Sequence, residues 1–376
     1  MLQKQHRVLD TTMMVRFEFI EDLIPLILDA DEHWWPNNLV ALATVSPSWL
    51  FYVRRRLYHC PTVQTFAAAK LLTESVMENS ELGSLIHGIS LRPEGTSNCR
   101  PTSAELRAVR FLLNIDGLKR VTLGGELAVG AEKFLRLIGS QDTIEELFID
   151  GSLLSCRLTS RPSLEWDESF TYTFPSLKKL QITHVELDIV PSSTPYLSPS
   201  SISHLILDNT YLMDGDIVDL LSGATSLQCF HLTTSDPISS DSQLQLLLAS
   251  CTIDCLHYET QKGTNVNNFP ALDSISESRA DSVRCLHLNG QLVDMGVLIT
   301  VSEVFRNLVE LVVSGRAVRV SAQEWAGFIR SGALSSLRRL GLPWGTNMPP
   351  YVAWLSSEGD EIRDACSSRK DPLLLY

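Results

Sequence analysis

The chain has 376 residues, of which 44% are hydrophobic and 20% are charged, and its formal net charge at pH 7 is -13. This composition excludes a disordered chain and allows a large core, in either a repeat array or two to three ordinary domains. The acidic balance argues against a general binder of nucleic acid or of anionic membranes, because neutralising phosphates requires clustered Lys and Arg.

The N-terminal residues lack the features of a secretory signal, which needs an uninterrupted apolar segment and a small-residue cleavage site. No run of about eighteen apolar residues occurs that could span a bilayer. The eight cysteines show no disulfide framework, which favours a reducing compartment. We therefore expect a soluble protein of the cytoplasm and/or nucleus with no membrane or nucleic-acid partner. Residues 1–16 are expected to form an N-terminal tail.

Residues 17–62 are predicted to form three short helices. Apolar residues recur at helical spacing from Leu23 to Leu28 and again from Leu39 to Val45. A third helix is indicated by Ser46 as its cap and Pro47 at its first position, where a missing N–H does no harm. Three helices of this size bury too little for a self-sufficient core, so we expect the segment to dock on a partner.

This segment resembles an F-box, the helical module that binds the small Skp-family adaptor of cullin-RING ubiquitin ligases. The similarity lies in the sequence DLIP of the first helix, in a V-x-x-x-W signature and in a closing RLY. It implies that the adaptor is contacted by Leu23, Ile24, Pro25, Ile27, Val45, Trp49, Leu57 and Tyr58.

Two features of the segment depart from the F-box pattern. Phe19-Ile20 replaces the usual opening Leu-Pro. The connector between the first two helices is a few residues longer than is usual in the family. The alternative is that these helices only cap the end of a repeat array, because terminal repeats need covering.

A seven-residue phrase recurs through most of the remaining chain. The spacing aliphatic-x-x-aliphatic-x-aliphatic occurs ten times at steps of 25 to 33 residues, and its last two apolar residues alternate with a variable one, which predicts a strand with one buried face. Intervening stretches such as SAELRAVRFLLNI and SAQEWAGFIRSG have helical spacing and plausible caps. The phrases begin at Ile86, Leu118, Ile144, Leu177, Ile202, Leu227, Ile253, Val283, Leu308 and Leu337.

Strand and helix in alternation predict an α/β fold in which parallel strands line the inside of a curved solenoid and helices cover the outside. The pattern resembles the longer, helix-bearing form of the leucine-rich repeat family. We expect the solenoid to occupy 63–345 and a helical C-terminal cap to occupy 346–376. Four stretches rich in Ser, Pro, Thr or Asn are expected to be loops: 93–103, 155–173, 186–201 and 259–282.

An F-box followed by leucine-rich repeats resembles the F-box and repeat proteins of mushroom-forming fungi. The resemblance implies a substrate-recognition subunit of an SCF-type ubiquitin ligase, which holds the adaptor and cullin complex through the F-box and an unknown target protein through the repeats. Such a subunit is not an enzyme and needs no cofactor. In agreement, no H-E-x-x-H, G-x-S-x-G or C-x-x-C motif occurs. The alternative function is a ligase-independent scaffold whose N-terminal helices only cap the solenoid.

Three phrases, SLQCFHL, TIDCLHY and SVRCLHL, carry a cysteine two residues before a histidine. Strand periodicity puts both residue types on the face opposite the core, in two columns that cross neighbouring strands. Cys and His bind zinc, but a regular ladder spaces ligands evenly instead of converging them, so we expect no metal site. We expect a plain solvated face or an uncharged target-binding patch, and we favour the patch, formed by His204, Cys229, His231, Cys255, His257, Cys285 and His287.

Overall fold

The computed structural model describes residues 21–30, 34–94, 101–155, 161–191, 200–221, 224–261, 277–315, 317–347 and 351–376. The described chain is mixed α/β with a large parallel sheet. It separates into two compact units, Met1–Val121 and Thr122–Tyr376. The expected tail and the Phe19-Ile20 departure lie outside the described residues.

Three helices open the described part of the first unit, as predicted, and pack around a small apolar core. The buried side chains of that core are Ile24, Leu28, Leu39 and Val53, and partly buried aromatic residues pack against them. The prediction for the start of the third helix is confirmed, since the Ser46 side chain accepts a hydrogen bond from the backbone N–H three residues on. The helices are α1 (21–29), α2 (Pro36–Ala43) and α3 (Pro47–His59).

The rest of the first unit contains the first strands and three more helices. Strands β1 and β2 pair in parallel, and helices α4 and α6 pack against each other. Helix α6 begins with a reciprocal capping box between Thr102 and Glu105. In chain order the elements are β1 (Thr62–Val63), α4 (Phe66–Glu78), α5 (Ser80–Leu85), β2 (Gly88–Leu91) and α6 (Ser103–Leu113), with β3 (Arg120–Gly124) at the boundary between the units.

The second unit alternates strands with helices. Its helices include α14, which has a capping box at its start and a left-handed Gly332 at its end. The elements are α7 (Ala131–Leu135), β4 (Glu146–Asp150), α8 (Ser152–Ser155), β5 (Ser163–Trp166), α9 (Glu168–Thr173), β6 (Lys179–Thr183), β7 (Glu186–Ile189), β8 (His204–Asp208), β9 (Tyr211–Asp214), α10 (Ile217–Leu220), β10 (Ser226–Thr234), α11 (Pro237–Ser250), β11 (Thr252–Thr260), α12 (Glu277–Ala280), β12 (Cys285–Asn289), α13 (Met295–Val304), β13 (Glu310–Ser314), α14 (Ala322–Ser331), β14 (Arg339–Gly341), β15 (Gly345–Asn347), β16 (Tyr351–Ala353), α15 (Ser356–Ser367) and β17 (Leu374–Leu375).

The large sheet of the second unit runs in the order β4-β6-β8-β10-β11-β12-β13-β14-β17. Neighbouring strands pair in parallel, and equivalent positions of the recurring phrase lie opposite each other. Leu205, Phe230, Leu256 and Leu286 are adjacent across four strands and are all fully buried. Each of the ten phrases lies on a strand, so the predicted strand positions and their buried face are confirmed.

Two of the four predicted loops are wrong, because they contain strands of a second parallel sheet. Strands β5 and β7 arise from the stretches 155–173 and 186–201; they pair with each other, and β7 also pairs with β9. Leu164 and Trp166 alternate with exposed residues in the first of them, so a strand pattern was present within a Ser- and Pro-rich stretch. Burial of these side chains stabilises the strands more than the turn preference of the flanking residues opposes them.

The end of the chain combines a helix with extra strands. Helix α15 packs against α14, as expected for a helical C-terminal segment. Strands β15 and β16 form an antiparallel hairpin, and β17 pairs in parallel with β14, with Leu374 opposite Arg339. No recurring phrase predicted β17, whose two residues extend the sheet through backbone hydrogen bonds.

Truncating a buried residue of the ladder is expected to destabilise the protein far more than truncating its exposed neighbour. Leu256→Ala removes a fully buried side chain from β11 and should cost about 2 to 5 kcal/mol. Asp254→Ala alters an exposed side chain on the same strand and should cost less than about 0.5 kcal/mol. Urea unfolding monitored by circular dichroism measures both, and equal losses would show that the strand faces are exchanged.

Candidate functional site

The Cys and His pairs form the two predicted columns across β10, β11 and β12. Cys229 lies opposite Cys255, which lies opposite Cys285, and the three histidines pair in the same register two residues further along. On the other side His204 lies opposite Cys229 and extends the cysteine column by one strand, as predicted. All seven side chains are half-buried.

Buried residues on either side hold these columns in place. In β10 the Cys229 and His231 side chains alternate with Phe230 and Leu232, which enter the core. Because successive side chains of a strand point to opposite faces, the core residues fix the direction of the polar ones. The columns are therefore set by the backbone and the core together.

Three of the candidate ligands converge, which contradicts the expectation that a regular ladder keeps them apart. Cys229 Sγ, Cys255 Sγ and a ring nitrogen of His257 all lie within 4.8 Å of one another. Cys255 Sγ and His257 Nε2 are 3.1 Å apart. Backbone spacing along a strand is about 6.7 Å for two residues, so the side-chain rotamers, rather than the backbone, create this proximity.

The three histidine rings lie side by side along their column. The ring centroids of His231 and His257 are 5.4 Å apart, and those of His257 and His287 are 4.0 Å apart. Burial, followed by the neighbouring histidines, lowers the pKa of His257 to about 4. Burial also lowers the pKa of His231. Both imidazoles are therefore neutral near pH 7, since adjacent positive charges at this spacing would repel each other.

The thiols of the cysteine column are coupled. A hydrogen bond with Cys255 lowers the pKa of the Cys229 thiol, while the same contact and burial raise the pKa of Cys255. Cys229 is the member of the pair that more readily becomes a thiolate, and thiolates are the reactive and metal-binding form of cysteine.

An ionic cluster lies on β13, beside the Cys and His columns. Glu310 is almost buried; its carboxylate lies 3.1 Å from His287 Nε2 and 2.5 Å from an Arg339 guanidinium nitrogen. It also accepts a hydrogen bond from the Tyr376 hydroxyl. Burial opposes ionisation of this carboxyl, but the hydrogen bond from Tyr376 and the charge of Arg339 bring its pKa below the ordinary value.

The sequence alone did not predict these contacts. Glu310 and Arg339 continue the cysteine column on β13 and β14 and place charges beside the uncharged patch. The contribution of Tyr376 had no sequence signal, because it depends on β17 returning to the sheet edge. Asp208 and Glu259 add negative charge on the same face, two residues beyond the histidine column along each strand.

The residues that the F-box resemblance assigned to adaptor binding differ in exposure. Ile24 belongs to the buried core of α1 to α3 and is 1% exposed, whereas Ile27 and Val45 are 41% and 63% exposed. Leu23, Pro25, Trp49, Leu57 and Tyr58 are half-buried. Further large apolar side chains that the resemblance did not single out are also exposed on these helices: Leu26, Val40, Leu50 and Phe51.

A comparison with models of known protein families and with curated proteins finds no match. Within the described part of the chain, every helix is too short or too polar to cross a membrane. None of the six cysteines in that part forms a disulfide bond.

Replacing Glu310 should destabilise the protein in a pH-dependent way. Glu310→Gln removes the charge that pairs with Arg339 and should cost about 1 to 3 kcal/mol near pH 7. Because the folded state lowers the pKa of Glu310 below its ordinary value of 4.5, its contribution is complete above that pH and is lost as the pH falls through the lowered pKa.

Urea unfolding of wild type and Glu310→Gln at several pH values measures this difference. The two proteins should converge in stability in acid. Glu303→Gln on helix α13, outside the cluster, serves as the control and should follow the wild type. A wild-type advantage that stays constant from neutral pH into acid would contradict the ionic role of Glu310.

Proposed function

We propose that the protein is a substrate-recognition subunit of an SCF-type cullin-RING ubiquitin ligase. In this proposal helices α1 to α3 act as an F-box that binds a Skp-family adaptor, and the repeats of the second unit, related to leucine-rich repeats, bind a target protein. The protein supplies proximity between target lysines and a ubiquitin-conjugating enzyme recruited by the other subunits, so it needs no catalytic residue or cofactor.

The exposed apolar surface of the three N-terminal helices carries this proposal. Their shared core contains four buried side chains, whereas five large apolar side chains on the same helices and Val45 in the turn between α2 and α3 stay exposed, among them Leu26 at 65% and Val45 at 63%. Exposed apolar surface marks protein interaction sites where it forms large patches. We call Leu26, Ile27, Val40, Val45, Leu50 and Phe51 the exposed helical surface.

The in-register parallel strands of the second unit support the target-binding half of the proposal. Repeat arrays present long rows of side chains from successive strands to a partner. Here the Cys and His columns offer hydrogen-bonding groups with little charge, bounded by Lys179 on one side and by Glu310 with Arg339 on the other. Such a patch suits a target surface that is neutral and polar.

Charge placed on the exposed helical surface should abolish adaptor binding. In Ile27→Asp with Val45→Asp, two exposed residues become acidic without changing the helical core, so folding should be kept. Truncating an apolar anchor in an interface weakens the binding free energy by on the order of 2 kcal/mol or more. Co-purification with the adaptor and cullin should therefore be lost.

Leu71→Asp provides the matched control, because Leu71 is a 64% exposed leucine on α4, outside the three helices. This variant should bind the adaptor as the wild type does. If the double variant still binds the adaptor and keeps its circular dichroism spectrum, the F-box reading fails and the ligase-independent scaffold is favoured.

Acidic substitutions in the histidine column should block target capture only. His231→Asp with His257→Asp introduces two charges into the neutral patch and should remove the target while the adaptor stays bound. Gln228→Asp, an exposed position on β10 outside the two columns, is the control. Quantitative mass spectrometry of cross-linked partners measures the result, and unchanged partners in the double variant would remove the patch from the mechanism.

A further inference from the structure

The convergence of two thiols and an imidazole on one sheet face has a chemical use that the proposed function does not require. Cys229 and Cys255 are opposite each other on neighbouring strands, and His257 follows on the same strand as Cys255. Their ligand atoms lie within 4.8 Å of one another. We propose that Cys229, Cys255 and His257 form a binding site for a thiolate-preferring cation, with Zn²⁺ as the ion that fits best.

The distances suit a tetrahedral zinc ion after small side-chain movements. Bonds of about 2.3 Å to sulfur and about 2.0 Å to nitrogen place two ligands of a tetrahedron about 3.5 Å apart. Cys255 Sγ and His257 Nε2, at 3.1 Å, already lie near this separation. The remaining atoms need to approach by at most about 1.3 Å, which rotations of half-buried side chains supply.

The donor set selects the class of metal. Two thiolates with one imidazole favour soft or borderline ions and disfavour Mg²⁺ and Ca²⁺, which take oxygen ligands. Binding displaces two thiol protons into solvent, so the ion and its two thiolates are together uncharged. An uncharged centre suits this position, because like charges on directly opposite residues of adjacent strands repel each other.

Three protein ligands leave the fourth zinc position open. The half-buried ligands lie on the face opposite the core, so water or an added ligand has access to that position. Zinc sites that bind water or a substrate have three protein ligands and one exchangeable ligand. His231 and Cys285 are the adjacent column members, but neither belongs to the group whose atoms converge.

Zinc binding can be measured on the full chain without adaptor or target, so its outcome is separate from that of the ligase proposal. Reduced protein is incubated with ZnSO₄ and desalted, and its zinc content is measured by inductively coupled plasma mass spectrometry. One zinc per chain is expected. Competition with a chromogenic chelator should show affinity at least about 100-fold weaker in Cys229→Ser and in Cys255→Ser, since even outer-shell changes cost 10- to 100-fold.

Cys285→Ser is the matched control, because Cys285 occupies the same position of the phrase on the next strand. It should keep its zinc, and equal loss in this variant would overturn the choice of ligands. Co²⁺ in place of zinc should give thiolate charge-transfer absorption and the intense visible bands of tetrahedral coordination. A wild-type protein that retains no more zinc than the Cys229→Ser Cys255→Ser variant, with both folded by circular dichroism, would overturn the site itself.

Discussion

The in-register parallel ladder of the second unit is the constraint on which the other features of that unit depend. Backbone hydrogen bonds align equivalent positions from Glu146 through Cys255 to Arg339 without a shift. Since side chains alternate between the faces, a shift of one residue would move every core leucine into solvent. The buried positions therefore hold the register, and the register determines which polar side chains become neighbours.

This register places residues of the same type opposite each other on adjacent strands. Identical ionisable side chains on adjacent strands destabilise a sheet when they carry the same charge. The strands avoid this repulsion in two ways: His231 and His257 stay neutral, with the pKa of His257 lowered to about 4, and Glu310 on β13 pairs with Arg339 on β14. The neutral patch and the ionic cluster are thus two results of the same geometry.

The first unit presents the opposite balance between core and surface. Its three N-terminal helices bury few side chains and expose many apolar ones, because helices of eight to thirteen residues cannot enclose a core by themselves. The Arg56 guanidinium and the Asp29 carboxylate, 3.7 Å apart and partly exposed, add little to this small assembly. A partner that covers the exposed helical surface would supply the burial that the helices lack.

The sequence by itself determined the strands and helices whose signals are local. Alternation over five residues identified the strand of each phrase, and Ser46 with Pro47 identified the start of α3. Recurrence of the same phrase also predicted the two columns, because parallel strands that bury the same positions of the phrase pair in one register. The second sheet was missed, since β5 and β7 are four-residue strands within stretches of turn-forming composition.

Only the tertiary structure decided which side chains meet. Side-chain rotamers bring Cys229, Cys255 and His257 together, and the pairing of β17 with β14 carries the Tyr376 hydroxyl to Glu310 across 66 positions of sequence. Likewise, the exposure of Val45 and the burial of Ile24 depend on how three helices pack, although both residues belong to the same sequence pattern. Periodicity fixes the face on which a side chain lies, but its contacts depend on chain segments that are distant in sequence.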